Sequence, residues 1–170
     1  MKNFLGGLLL GAMLVVLAAF VYLKLGLIDI RADAPMPGWV ARILYTGTHA
    51  SVRRSVSHGE NPSPDGDDTL IAGGKVYLND CVGCHGEPGK PPSEFGLTFY
   101  PPVPQFPRAG SNYSVSEVFW IAKHGIRRTG MAAQASSYTD QQLWTAAAFI
   151  TRMRNLPPGV AKAIEQTPVN

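Results

Sequence analysis

Several patterns that define common functional sites are missing from this chain. Apart from one closely spaced pair it has no cysteine, and no two of its four histidines are separated by three to five residues, so the second ligand pair of a zinc site is absent. Its formal net charge is only +3 and no run of lysine or arginine stands out, which argues against a nucleic-acid-binding protein. The stretch before the cysteines has no strand pattern, which argues against a thioredoxin-like unit.

The cysteine pair belongs to the five-residue sequence Cys-Val-Gly-Cys-His, which contains Cys81 and Cys84 and ends at His85. Cys-x-x-Cys-His is the attachment signature of a c-type haem. A gap of two residues in a tight turn sets the two sulfurs at the spacing of the two haem vinyl groups. The imidazole of His85 then falls under the iron. The motif therefore predicts one covalent haem c, with thioether bonds from Cys81 and Cys84 and with His85 as an axial ligand.

The other prominent feature is an uncharged apolar run from Phe4 to Leu23. About 20 residues at 1.5 Å rise per residue span the roughly 30 Å of a bilayer interior, and Tyr22 and Lys24 suit its edge. A cleaved signal peptide is the alternative, but its apolar region is shorter. Such a peptide also needs a cleavage site with small residues, and the candidate at 32–34 lies well beyond the end of the apolar run. The pattern favours an uncleaved transmembrane helix.

Three further helices follow from capping signals and apolar spacing. Asp67, Asp68 or Thr69 caps a first helix over Leu70–Asn79. A capping box over 114–117 begins a middle helix, which Gly125 ends. A second capping box, over 139–142, begins the last helix, which Pro157-Pro158 ends. We predict four segments: a transmembrane anchor over 1–24, a juxtamembrane segment and linker over 25–68, a haem domain over 69–156 and a C-terminal tail over 157–170.

The juxtamembrane segment contains one further helical pattern, over 35–56. Val40, Ile43 and Leu44 share one helical face, with Arg42 opposite. This pattern predicts a short helix that lies on the membrane, on the haem domain or on a partner. We expect His49 and His58 to be solvated.

The helix order and the haem motif resemble those of class I cytochromes c. In that family a glycine and an aromatic residue mark the crossing of the first and last helices, and Gly73 and Tyr77 have that spacing. The resemblance implies that they meet Trp144 and Ala148. It also implies an all-α fold around one covalent haem, here with an N-terminal transmembrane helix.

A second iron ligand is predicted at Met131. The other methionines lie at the start of the chain, in the apolar run, before the domain or in the last helix. The loop from Gly125 to Ala133 resembles the Gly-Ile-x-x-Thr-Gly-Met-Pro-Ala loop of monohaem cytochromes c, with Ala132 in place of the usual proline, which implies a less rigid loop. His124 is the competing ligand.

The resemblance also implies contacts around the haem. In the family a proline carbonyl holds the second nitrogen of the axial histidine, and Pro101 and Pro102 are the two candidates here. The candidate donors to the haem propionates are Arg108, Tyr113, Trp120, Arg127, Arg128 and Tyr138.

The chain is similar to haem domains of the third subunit of cbb-type oxidases and to other membrane-tethered cytochromes. This likeness implies an electron carrier rather than an enzyme, with the bilayer and redox donor and acceptor proteins as partners and no nucleic acid. Because bacterial c-type haem is attached outside the cytoplasm, it implies a periplasmic domain on a single-pass inner-membrane anchor. A haem enzyme or gas sensor with an open or displaceable sixth iron site is the alternative, and a thiol–disulfide protein is a third class.

Overall fold

The computed structural model describes residues 2–31, 34–56 and 66–169, and no β-strand occurs among them. The chain divides into two units, Met1–Ala34 and Pro35–Asn170. The first contains helix α1, and the second contains the remaining helices. Their bounds are α1 Lys2–Lys24, α2 Gly38–Ser55, α3 Asp67–Asp80, α4 Val82–His85, α5 Glu94–Leu97, α6 Phe106–Ala109, α7 Val115–His124, α8 Asp140–Arg152 and α9 Pro158–Glu165, with a 3₁₀ turn over Met153–Asn155.

Within the described residues, α1 is the one helix long and apolar enough to cross a membrane. The qualifying stretch is Phe4–Lys24, and none of it is buried in the protein. Its apolar side chains are therefore exposed all round, as the sequence pattern predicts. The cleavage site considered at 32–34 lies largely outside the described residues.

The core of the second unit is the crossing of α3 and α8, as predicted. A Cβ atom on Gly73 would overlap the backbone carbonyl of Thr145, so only glycine allows the two helices to approach this closely. Beside it, the fully buried ring of Tyr77 lies 5.7 Å from the ring of Phe149. The predicted partner Trp144 lies elsewhere, stacked at 4.1 Å on Phe119 of α7.

The two predicted capping boxes are both present, at Ser114–Glu117 and Thr139–Gln142. The predicted cap of α3 is wrong. That helix begins at Asp67 after Gly66 and has no side-chain cap. Asp67 and Asp68 instead lie in its first turn, where negative charge stabilises the helix dipole.

The end of the haem domain also differs from the prediction, because residues 158–165 form helix α9 rather than part of a tail. Pro158 stands at the start of this helix, where its missing N–H costs no hydrogen bond. Val160 and Ile164 are buried in the core, and Ile164 packs on Gly74 of α3. The proline pair therefore ends one helix and begins another.

Helix α2 packs on α7 through its C-terminal half. Val52 is buried, Arg53 lies 3.4 Å from Glu117, and the ring of His49 stacks on Tyr113 at 4.2 Å. The prediction that His49 is solvated is wrong, because its ring also faces Tyr45 and its Nε2 atom is buried. His58 lies outside the described residues.

Candidate haem-attachment site

The haem-attachment sequence forms one tight helical turn at the end of α3. The backbone N–H of Cys81 still bonds to the last turn of α3, and its carbonyl accepts bonds from the N–H groups of Cys84 (3.2 Å) and His85 (2.9 Å). Both cysteine side chains are partly buried. The two sulfurs and the imidazole are thus carried by one continuous turn, which is the local geometry that the motif predicts.

Side chains from outside the motif tie down the carbonyls of this turn and of the glycine that follows. Their bonds run from Ser93 Oγ to the Gly83 carbonyl, from Gln105 Nε2 to the Cys84 carbonyl (2.9 Å) and from Tyr77 Oη to the Gly86 carbonyl (2.6 Å). The Tyr77 hydroxyl is buried, and burial raises its pKa, so it remains a hydrogen-bond donor. The turn is therefore fixed by residues both before and after it in the chain.

Gln105 is the most connected of these side chains. Besides the Cys84 carbonyl, its Nε2 bonds the Val103 carbonyl (3.0 Å), and its Oε1 accepts the backbone N–H of Ser93 (2.8 Å). The space around it is tight, since a Cβ on Gly96 would overlap the Cys84 carbonyl. Gln105 is not part of any recognisable motif, so the sequence alone gave no signal for it.

The imidazole of His85 is oriented by two contacts. Its Nδ1 lies 2.9 Å from the Pro104 carbonyl, and its ring stacks on Phe106 with centroids 4.5 Å apart. Because a carbonyl can only accept, Nδ1 carries the proton and Nε2 keeps its lone pair. Burial lowers the pKa of His85, and the bond to Pro104 partly opposes this. A neutral ring with a free Nε2 is the form that binds iron.

The acceptor for His85 corrects the prediction of Pro101 or Pro102. Two bonds fix the loop just beyond those prolines, from the Val103 N–H to the Gly96 carbonyl (3.0 Å) and from Gln105 to the Val103 carbonyl. They bring the next carbonyl, that of Pro104, to the ring, while Pro101 and Pro102 lie exposed upstream. Which proline carbonyl accepts from His85 depends on contacts between distant segments, and sequence spacing alone does not reveal these.

The loop that contains Met131 is closed by its own backbone. Gly125 has φ +66°, and a Cβ there would lie 2.6 Å from the Met131 carbonyl. That carbonyl accepts the Ile126 N–H (3.0 Å), and the Met131 N–H bonds Thr129 Oγ1 (3.1 Å). These bonds restrain the loop although Ala132 stands where the family has proline. Met131 as an iron ligand stays a prediction.

Tyr138 joins the end of this loop to the residues before the haem motif. Its hydroxyl donates to Asp80, and Asn79 Nδ2 donates to that hydroxyl at 2.9 Å. Asp80 directly precedes Cys81, so the two haem-binding segments are linked at this point. The structure thus engages the Tyr138 hydroxyl with α3, and a contact of Tyr138 with a haem propionate stays a prediction.

A comparison with protein families gives a match over part of the chain. Residues 68–150 fit the family described as cytochrome C oxidase, cbb3-type, subunit III. These residues are therefore similar to the cytochrome c domain of that family. The matched stretch is just under half of the chain and includes the attachment turn, the Met131 loop and most of α8. No curated protein and no solved structure matches the chain significantly.

A cytochrome c domain carries haem c, and the attachment turn fits that group. The cysteines are on one turn, the adjacent imidazole is neutral and oriented, and neighbouring side chains hold the turn's carbonyls. Burial raises the pKa of Cys81 to about 12. A redox-active thiol needs a lowered pKa instead, and the described residues contain no β-strand of a thioredoxin-like unit, so the thiol–disulfide class is disfavoured.

The other candidate haem contacts of the cytochrome c domain stay predictions. Tyr113 is partly buried against His49, and Trp120 is partly buried with its ring 5.0 Å from the competing ligand His124. The arginine candidates all have exposed side chains: Arg108, Arg127 and Arg128.

Proposed function

We propose that this protein is a membrane-anchored one-electron carrier with a single haem c. The family match supports a haem-containing electron-transfer role. The observation that carries the proposal is the orientation of His85, whose Nδ1 bonds Pro104 and whose ring stacks on Phe106. A histidine held in this way keeps one position and one tautomer, which prepares it to serve as an axial ligand.

The proposed roles of the chain's own residues follow from this orientation. Cys81 and Cys84 would hold a haem c through thioether bonds to its two vinyl groups, and His85 would bind its iron through Nε2. Met131 would be the second protein ligand, and a His–Met pair raises the reduction potential. When bound, haem c would supply one-electron redox chemistry. With both protein ligands in place, no iron position would remain for a substrate.

The proposed location is the bacterial inner membrane, with α1 as a single-pass anchor. Its length and its exposed apolar surface support this. Because c-type haem is attached outside the cytoplasm, residues 25–170 are placed in the periplasm. The anchor keeps the domain at a high local concentration near membrane redox enzymes. Its partners are the bilayer and redox donor and acceptor proteins, and the domain family favours a subunit of a membrane oxidase over a free carrier.

Haem staining of a denaturing gel, followed by redox titration, tests the proposal on the full chain extracted from membranes. We expect a stained band at the size of the chain and a reversible one-electron titration. Cys81→Ala and Cys84→Ala should each weaken or abolish the stain, whereas Gln141→Ala, at an exposed position of α8, should leave it unchanged. A full-length chain with no covalent haem would contradict the proposal and revive the thiol–disulfide class.

A further inference from the structure

Helix α2 packs on the cytochrome c domain along only half of its length. Its C-terminal half packs on α7 through Val52, His49 and Arg53. Its N-terminal half leaves large side chains uncovered, since Trp39 is 69 % exposed and Ile43 is 63 % exposed. Leu44 and Tyr45, which follow, are also more than half exposed. Single exposed apolar residues are ordinary, but Trp39 and Ile43 are four positions apart and share one helical face, so together they form an apolar surface suited to binding.

The composition of α2 suits a lipid headgroup layer. The helix has no acidic residue and three arginines, at positions 42, 53 and 54. Of these, Arg42 is exposed in the uncovered half, between Trp39 and Ile43. Tryptophan prefers the membrane–water boundary, and arginine there can reach lipid phosphates.

The uncovered half of α2 is also the half that lies nearer to α1 along the chain. Residues 25–37 alone separate the two helices, and an extended segment of that length reaches at most about 45 Å. Several of its side chains are apolar and at least half exposed: Leu25, Leu27, Ile28 and Ile30. Any membrane that α1 crosses is therefore within reach of the uncovered half, and the intervening chain is itself suited to an apolar boundary.

We infer that the first two turns of α2 lie in the headgroup layer of the membrane, with Trp39 and Ile43 toward the acyl chains and Arg42 toward lipid phosphates. This inference rests on the proposed anchoring by α1. The contact of α2 with the headgroup layer is then a second attachment of the chain to the membrane, in addition to α1. Because the other half of α2 is bound to α7, a domain held in this way cannot rotate freely on its linker, and one side of it always faces the membrane.

Thiol labelling of the full haem-loaded chain tests this inference. With both native cysteines in thioether bonds, Ile43→Cys introduces the one reactive thiol, and Gln141→Cys does the same at an exposed control position of α8. Each variant is placed in lipid nanodiscs of phosphatidylethanolamine and phosphatidylglycerol and treated with a water-soluble maleimide. Rates are divided by those of the same variant unfolded in urea, which removes intrinsic differences in reactivity. We expect the thiol at position 43 to react about tenfold more slowly than the control.

Other outcomes would overturn the inference in distinguishable ways. Equal normalised rates in chains that co-purify with the discs would show that α2 is in water although the anchor holds. Slow labelling in native membranes but not in the discs would show that a protein partner covers the surface instead of lipid. Loss of the chain from the discs, seen before labelling, would contradict the anchor itself and the inference with it.

Discussion

Tyr77 supports the haem-attachment turn from within the core. Its fully buried hydroxyl donates to the Gly86 carbonyl at 2.6 Å. Tyr77→Phe keeps the ring but leaves that carbonyl without its donor, and a lost buried hydrogen bond of this kind costs about 1–3 kcal/mol. We expect denaturant unfolding to show this loss, whereas Tyr45→Phe, at a site 58 % exposed, should change stability little. Equal stability of the two variants would show that the bond contributes nothing.

Gln105 supports the same turn from the other side. Its side chain bonds backbone groups of Ser93, Cys84 and Val103, so Gln105→Ala removes three hydrogen bonds at once. We expect haem to remain attached, because the thioether bonds are intact, and the free energy of unfolding to fall by roughly 2–3 kcal/mol. Gln141→Ala, at an exposed site of α8, is the matched control. Unchanged stability of the Gln105 variant would mean that water replaces these bonds at no cost.

Met131 is the residue on which the sixth iron position depends. Met131→Ala should keep the covalent haem but lower the reduction potential, because the iron loses its methionine sulfur ligand. The vacant iron position should also allow carbon monoxide to bind the reduced form. Met36→Ala, before the cytochrome c domain, should change none of these. They are checked by redox titration and by the carbon monoxide difference spectrum. An unchanged spectrum in Met131→Ala would exclude this residue as a ligand and direct attention to His124.

At the scale of the helices, the α3–α8 crossing depends on one glycine. Any side chain at position 73 overlaps the Thr145 carbonyl, which is backbone and cannot move aside alone. Gly73→Ala should therefore destabilise the domain by about 3 kcal/mol, at the upper end of the range for overpacked cores. Gly47→Ala in α2, where an added Cβ meets nothing, should instead be neutral or stabilise by up to about 1 kcal/mol. Thermal unfolding of both variants decides this, and two equal melting temperatures would contradict the crossing.

The elements that the sequence predicts well are those with local signals. The capping boxes at 114–117 and 139–142 involve residues three positions apart, and both form as expected. Helix α9 was missed because Pro157-Pro158 has two opposite meanings, as the end of one helix and the start of the next. Val160 and Ile164 have helical spacing, but only the tertiary structure shows that α3 is there to cover them.

The residues of the candidate site likewise include some that local sequence signals predict and others that depend on contacts between distant segments. Cys81, Cys84 and His85 are adjacent in the chain, so spacing alone predicts that one turn presents them. The Pro104 carbonyl and the Gln105 side chain reach that turn from about twenty residues away. No sequence rule fixes which of several neighbouring prolines arrives opposite the ring, because that depends on how the intervening loop is held at Gly96 and Val103.

At the scale of the whole molecule, the proposed anchor and the family match point toward a membrane assembly. We expect a native gel of mildly solubilised membranes to show the haem band co-migrating with larger redox subunits, which mass spectrometry would identify. A haem band at the 18.3 kDa of the chain plus detergent would contradict the subunit assignment. It would identify a tethered carrier instead.

Carbon monoxide binding to the reduced full-length protein, together with the near-infrared spectrum of its oxidised form, tests the central claim most directly. If His85 and Met131 close both faces of the iron, the oxidised protein shows the weak sulfur-to-iron band, and the reduced protein forms no ready carbon monoxide adduct. Rapid formation of that adduct in the unmutated protein, without the band, would show an open iron site. The protein would then be a haem enzyme or a gas sensor rather than an electron carrier.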